Sequence, residues 1–98
     1  MKVLTVEDLI RQSRLQNPSP EELLYLDEIG NTAEEMVEKA INQSWEEVYE
    51  QYGEFPASLR HAALMLADYY YRVRGEDAAM PRAAAVLCRK YVKLRRRG

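Results

Sequence analysis

The stretch FPASLRHAALMLADYYYRVRGED, Phe55–Asp77, constrains this chain more than any other. Pro56 near its start, Gly75 near its end and an interior rich in alanine and leucine predict one long helix, about Pro56–Arg74. At 3.6 residues per turn, Leu59, Ala62, Ala63, Leu66, Tyr70 and Val73 form one apolar stripe, which should face the core. Leu64, Ala67 and Tyr71 form a second, Tyr69 flanks the first, and Met65 points elsewhere. A helix apolar nearly all round is either surrounded by its neighbours or shares a face with another molecule. Tyrosine suits the second case, because its ring buries while its hydroxyl stays hydrogen-bonded. Leu64, Ala67, Tyr69 and Tyr71 are therefore the candidate subunit-interface residues.

The rest of the chain supplies helices that could pack around this one. Thr5 before VEDLIRQSRL, with Asp8 three residues on, reads as an N-cap, and QNPSP breaks the chain after it. Ser19-Pro20-Glu21-Glu22 combines an N-cap serine, a proline at the first helical position and a capping-box glutamate. The helix it opens should run to about Asn42, with Leu23, Leu26, Ala33, Val37, Ala40 and Ile41 on one side. Gly30 lies in that stripe and costs about 1 kcal/mol of helix propensity against alanine. Either a close helix crossing needs the missing Cβ, or a new helix starts at Thr32; the stripe keeps its phase across Gly30, which favours the crossing.

A second capping box, Ser44-Trp45-Glu46-Glu47, opens a short helix that Gly53 ends. A last helix, about Pro81–Arg96, should carry Ala83, Ala84, Leu87, Tyr91 and Leu94 on one side. No β-alternating run occurs. The expected fold is all-α, one domain over residues 1–98, with four to five helices around the long central one.

Ninety-eight residues suit a single core, and the apolar (47%) and charged (31%) fractions are those of a globular chain. No signal-peptide pattern or membrane-length apolar run is present, so no membrane partner is expected. The single cysteine, Cys88, precludes an internal disulfide and a cysteine-based zinc site, and its place near the apolar side of the last helix reads as core. A reducing, cytoplasmic origin is the plain reading.

Little in the sequence suggests catalysis. His61, the lone histidine, falls on the polar side of the long helix with Asp68 and Arg72, themselves an i,i+4 pair. Ser13, Ser19, Ser44 and Ser58 stand at helix starts or polar positions, where capping and solvation account for them. The carboxylates of EDLI, PEEL, AEEMVEK and WEEVYE fall in first turns or on solvated faces. No Glu-x-x-His, His-Glu-x-x-His, EF-hand or glycine-rich phosphate motif occurs. The expectation is a non-enzyme without metal or cofactor.

Charge is distributed unevenly. Residues 1–58 hold 13 acidic and 4 basic side chains, residues 59–98 hold 3 and 10, and the net is only −2. The halves can neutralise each other within one chain, or one copy's acidic half can meet another's basic half. On a continuous last helix, Arg82, Arg89, Lys93 and Arg96 share a narrow arc, to which Lys90, Arg95 and Arg97 add. Such a face can be simply solvated, can dock an acidic protein surface, or can contact nucleic acid.

The order of these elements, the run P-x-x-L-R-H-A-A-L-x-L-A-x-Y-Y-Y-x-x-R from Pro56 and the closing A-V-L-C-R-K-Y-x-x-L-R resemble the head–tail connector (adaptor) proteins of long-tailed bacteriophages. The resemblance spans nearly the full length, though its motifs are core patterns, and the Trp45–Tyr52 segment is an insertion relative to the shortest family members. It implies a structural virion protein at the head–tail junction, made in the bacterial host cytoplasm, that forms a ring of about a dozen subunits. The ring would sit beneath the portal protein, extend the DNA channel and present a platform to the next connector or tail-completion protein. DNA would pass through a polar lumen without specific binding. The resemblance makes Pro56–Arg74 the central scaffold and the segment from Tyr91 to Arg97 the portal-contacting element. Arg82, Arg89, Lys93, Arg95, Arg96 and Arg97 are thus the candidate portal or nucleic-acid contacts. The alternative is a small DNA-binding or DNA-packaging-associated helical protein that uses the same basic C-terminal helix.

Overall fold

A computed structural model describes residues 1–73 and 80–93 of the chain. Among these residues there are five α-helices, α1 (Val6–Gln12), α2 (Pro20–Ile41), α3 (Trp45–Tyr52), α4 (Ala57–Val73) and α5 (Arg82–Cys88), then a 3₁₀ turn over Arg89–Tyr91, and no strand. The fold is all-α. No helix of the described residues is long and apolar enough to cross a membrane.

Capping boxes form at three helix starts, the two read from the sequence at Ser19 and Ser44 and a third where Thr5 was expected as a simple N-cap. The hydroxyls of Thr5, Ser19 and Ser44 accept the backbone N–H groups of Asp8, Glu22 and Glu47, whose carboxylates accept the cap N–H groups in return. Each box satisfies two N-terminal donors that the helix itself leaves open. α3 ends at Gly53, whose φ of 73° is left-handed and open to glycine without strain.

α4 is the central element. α2 crosses it along one side, α5 along another, and α1 packs against a third. Leu59, Ala62, Ala63, Leu66 and Ala67 of α4 are buried against Leu26, Ala33, Val37 and Ile41 of α2, Leu9 of α1, and Ala84 and Cys88 of α5. Each fully buried aliphatic side chain contributes about 1.5–3 kcal/mol relative to exposure. On α2 the anticipated stripe is buried at Leu26, Ala33, Val37 and Ile41, whereas Leu23 at its amino end is exposed.

α2 runs unbroken through Gly30. A Cβ at that position would land on the Met1 sulfur and 3.1 Å from Leu9 Cδ1, so the missing side chain is the notch into which the N-terminal strap and α1 pack. Trp45 is buried beside the same region. Its ring meets Phe55 edge-on at 5.8 Å, and its indole N–H donates to the Glu34 carbonyl at 3.1 Å.

The last helix is shorter than the sequence suggests. It ends at Cys88 rather than Arg96, tightens to a 3₁₀ turn, and at Val92 (φ −65°, ψ 125°) becomes extended. The carboxyl end of α2 takes hold of the chain there. Asn42 adopts the left-handed conformation (φ 56°) and its side-chain amide donates to the Lys93 carbonyl at 2.9 Å. Gln43 Nε2 donates to the Tyr91 carbonyl at 2.8 Å, and the Lys93 N–H donates to the Ile41 carbonyl at 2.8 Å. Three long-range bonds outcompete the continuation of α5.

Candidate interaction surfaces

The second seam of α4 is occupied within the chain. Ala67 is only 1% exposed, because α2 and α5 close over that part of the helix. This corrects its assignment as an interface residue: a neighbouring subunit could reach it only by opening the core. Leu64 is half-buried against the core. Tyr71 lies 6.1 Å from the Tyr25 ring and donates its hydroxyl to Glu22 Oε2 at 3.3 Å, which ties α4 to the first turn of α2. Tyr69 and Tyr70 pair at 6.2 Å and both keep partial exposure. Burial, and secondarily Tyr69, pushes the Tyr70 hydroxyl above its usual pKa.

The basic arc is broken by the early end of α5. Arg82, Arg89 and Lys93 are exposed, but the extended backbone at Val92 takes Lys93 off the helical phase of the other two. Lys93 turns to Glu47 at 3.1 Å. Lys90 holds its ammonium 5.2 Å from the centre of the Tyr91 ring. Arg95, Arg96 and Arg97 lie outside the described residues, as do Arg74 and Gly75 at the anticipated end of the long helix.

Two carboxylates have structural partners: Asp8 in its first-turn place, and Glu34 in place of the solvated face expected for it. Glu34 is 3% exposed and accepts the backbone N–H groups of Lys2, Val3 and Leu4 at 2.7–2.9 Å, clasping the N-terminal strap to α2. Asp8 is buried too, and burial would push its carboxyl up. The bonds from Thr5 and the Arg60 guanidinium at 2.8 Å outweigh that and hold it below the usual range. A sequence signal exists only for Asp8, through the capping box; nothing local distinguishes Glu34 from Glu35.

His61 is exposed on α4, and the Asp68–Arg72 pair forms at 3.0 Å, with Ser13 Oγ also donating to Asp68 at 2.9 Å. Cys88 is buried among apolar neighbours, which pushes its thiol up and leaves it a poor nucleophile. Among the described residues, no three His, Cys, Asp or Glu side chains are placed to hold a metal ion.

The two charged halves neutralise each other sparingly. Among the described residues, the ion pairs that join them are Arg60–Asp8 at 2.8 Å and Lys93–Glu47 at 3.1 Å. Glu21, Asp27, Glu28, Glu35 and Glu50 on α2 and α3 are exposed and make no ion pair with another described residue. The same holds for Arg82, Arg89 and Lys90 at the other end of the sequence. In comparisons with known proteins, the chain matches no family model, no curated protein and no solved structure.

Proposed function

We propose that the chain is a non-catalytic structural subunit of a bacteriophage virion, one copy of a ring of about a dozen at the head–tail junction. In this role it connects the portal to the next connector or tail-completion protein and extends the channel through which DNA passes without specific binding. The sequence resemblance from Phe55 to Glu76 and in the closing LCRKYVKLRR suggests the family. The observation that carries the reading is a separation of exposed charge, acidic along α2 and α3 and basic at Arg82, Arg89 and Lys90, that ion pairs among the described residues leave largely unneutralised. A ring interface joins different faces of neighbouring subunits, and faces of opposite sign suit it.

Native mass at low and high protein concentration, by light scattering after size exclusion with negative-stain imaging, tests the proposal. Closed rings are the expected outcome. A strict monomer up to millimolar concentration counts against a self-assembling ring.

Arg82, Arg89 and Lys90, exposed and without an ion pair among the described residues, also favour a second reading, a DNA-binding or DNA-packaging-associated protein. In that case affinity for duplex DNA should fall steeply with added salt, and Arg89→Ala should flatten the slope by about one contact. Salt-independent or absent DNA binding would remove this reading.

A further inference from the structure

Two exposed patches lie at opposite ends of α2, and each supplies what the other lacks. Near the amino end, Leu24 is 70% exposed. Glu21, Asp27 and Glu28 stand three or four residues from it, on the same face, so three carboxylates ring an apolar knob. The helix dipole explains Glu21 in the first turn, but not an exposed leucine or acids in the second and third turns. Near the carboxyl end of α2, Gln43, the segment after α5 and the end of α3 enclose a cleft of about 290 Å³ that Gln51, Tyr52, Lys90, Tyr91, Val92 and Lys93 also line. Tyr52 (44% exposed) and Val92 (42%) give it an apolar lip. Lys90 stands at its rim beside the Tyr91 ring, and Arg89 precedes it.

We propose that these patches are the two sides of one contact between copies of this chain. Leu24 of one copy enters the Tyr52/Val92 cleft of the next, while Glu21, Asp27 and Glu28 face Lys90 and Arg89. The inference rests on the self-assembling reading above and names its surfaces. Lys93 is already engaged by Glu47, so Lys90 and Arg89 carry the charge complementarity. No chain can satisfy itself this way. The 17 helical steps from Leu24 to Ile41 hold the patches about 25 Å apart on an uninterrupted helix. A contact between unlike surfaces repeats from copy to copy, and closes into a ring when the rotation allows.

The test compares the concentration at half-assembly for the wild type, Leu24→Glu, Lys90→Glu and the double variant Glu28→Lys/Lys90→Glu. Leu24→Glu alters an exposed side chain and should leave far-ultraviolet circular dichroism and the urea midpoint unchanged, while Lys90→Glu gives up the ammonium against the Tyr91 ring and should keep the wild-type circular dichroism. Each single variant should raise the half-assembly concentration by on the order of tenfold, and the double variant should recover much of the loss. If the wild type assembles and the single variants assemble equally well, the contact lies elsewhere and the proposed function stands. A wild type that stays monomeric up to millimolar concentration overturns both.

Discussion

At the scale of single residues, partners matter more than residue type. Asp8 and Glu34 are both buried acids, yet one closes a capping box and pairs with Arg60 while the other clasps three backbone N–H groups. Because its folded state holds the Asp8 carboxyl below the usual 3.8, the stabilisation is present above that value and lost as pH falls through the lower folded one. Asp8→Asn should therefore flatten the acid limb of a stability–pH curve measured by urea denaturation, with its largest cost near neutral pH. Tyr71 has a comparable lesson. Tyr71→Glu would remove a ring from Tyr25 and set a second carboxylate beside Glu22. The expected outcome is a loss of about 1–3 kcal/mol of folding stability, read from the urea midpoint, rather than a selective loss of assembly. A variant as stable as the wild type would reopen the Tyr71 face as an interface.

At the scale of elements, the helices whose boundaries are written locally were legible in the sequence. Thr5, Ser19 and Ser44 with their partner acids announce α1, α2 and α3, Gly53 stops α3, and the stripe through Leu26, Ala33 and Val37 carries α2 past Gly30. The end of α5 was not legible, because no glycine or proline marks it. It is set by Asn42 and Gln43, about 50 residues earlier in the chain, which capture the Lys93 and Tyr91 carbonyls. The arc of basic residues inferred from a continuous helix failed for the same reason, and the clasping role of Glu34 was equally illegible, because its partners Lys2, Val3 and Leu4 lie about 30 residues earlier in the chain. Gln43→Ala would strand the Tyr91 carbonyl without its donor at a cost of about 1–3 kcal/mol. Amide hydrogen exchange should then quicken at Lys93, whose N–H is held by Ile41, while the amides of α4 keep their relative protection. Unchanged exchange at Lys93 would mean that the segment after α5 is held by other contacts.

At the scale of the whole molecule, apolar burial joins the halves of the chain and charge does little to help. α2 and α4 meet through Leu26, Ala33, Val37, Leu59 and Leu66, while most of the surface acids and the cations Arg82, Arg89 and Lys90 are exposed. Exposed charges interact through solvent and are screened within about 10 Å at 0.1 M salt. Self-association through such faces should weaken as salt rises from about 50 mM to about 500 mM, with the native mass falling while helical content is unchanged. An assembly indifferent to salt would point to an apolar interface instead.

The lone tryptophan offers an optical consequence. Trp45 is shielded from solvent, stacked edge-on against Phe55 and anchored through its indole N–H to α2. Its fluorescence should be blue while that junction is intact and turn red when it melts. Because Trp45 sits apart from Leu24 and is covered, joining copies end to end should leave the emission colour unchanged. One cuvette can thus separate melting, seen as colour, from growth, seen as scattered light.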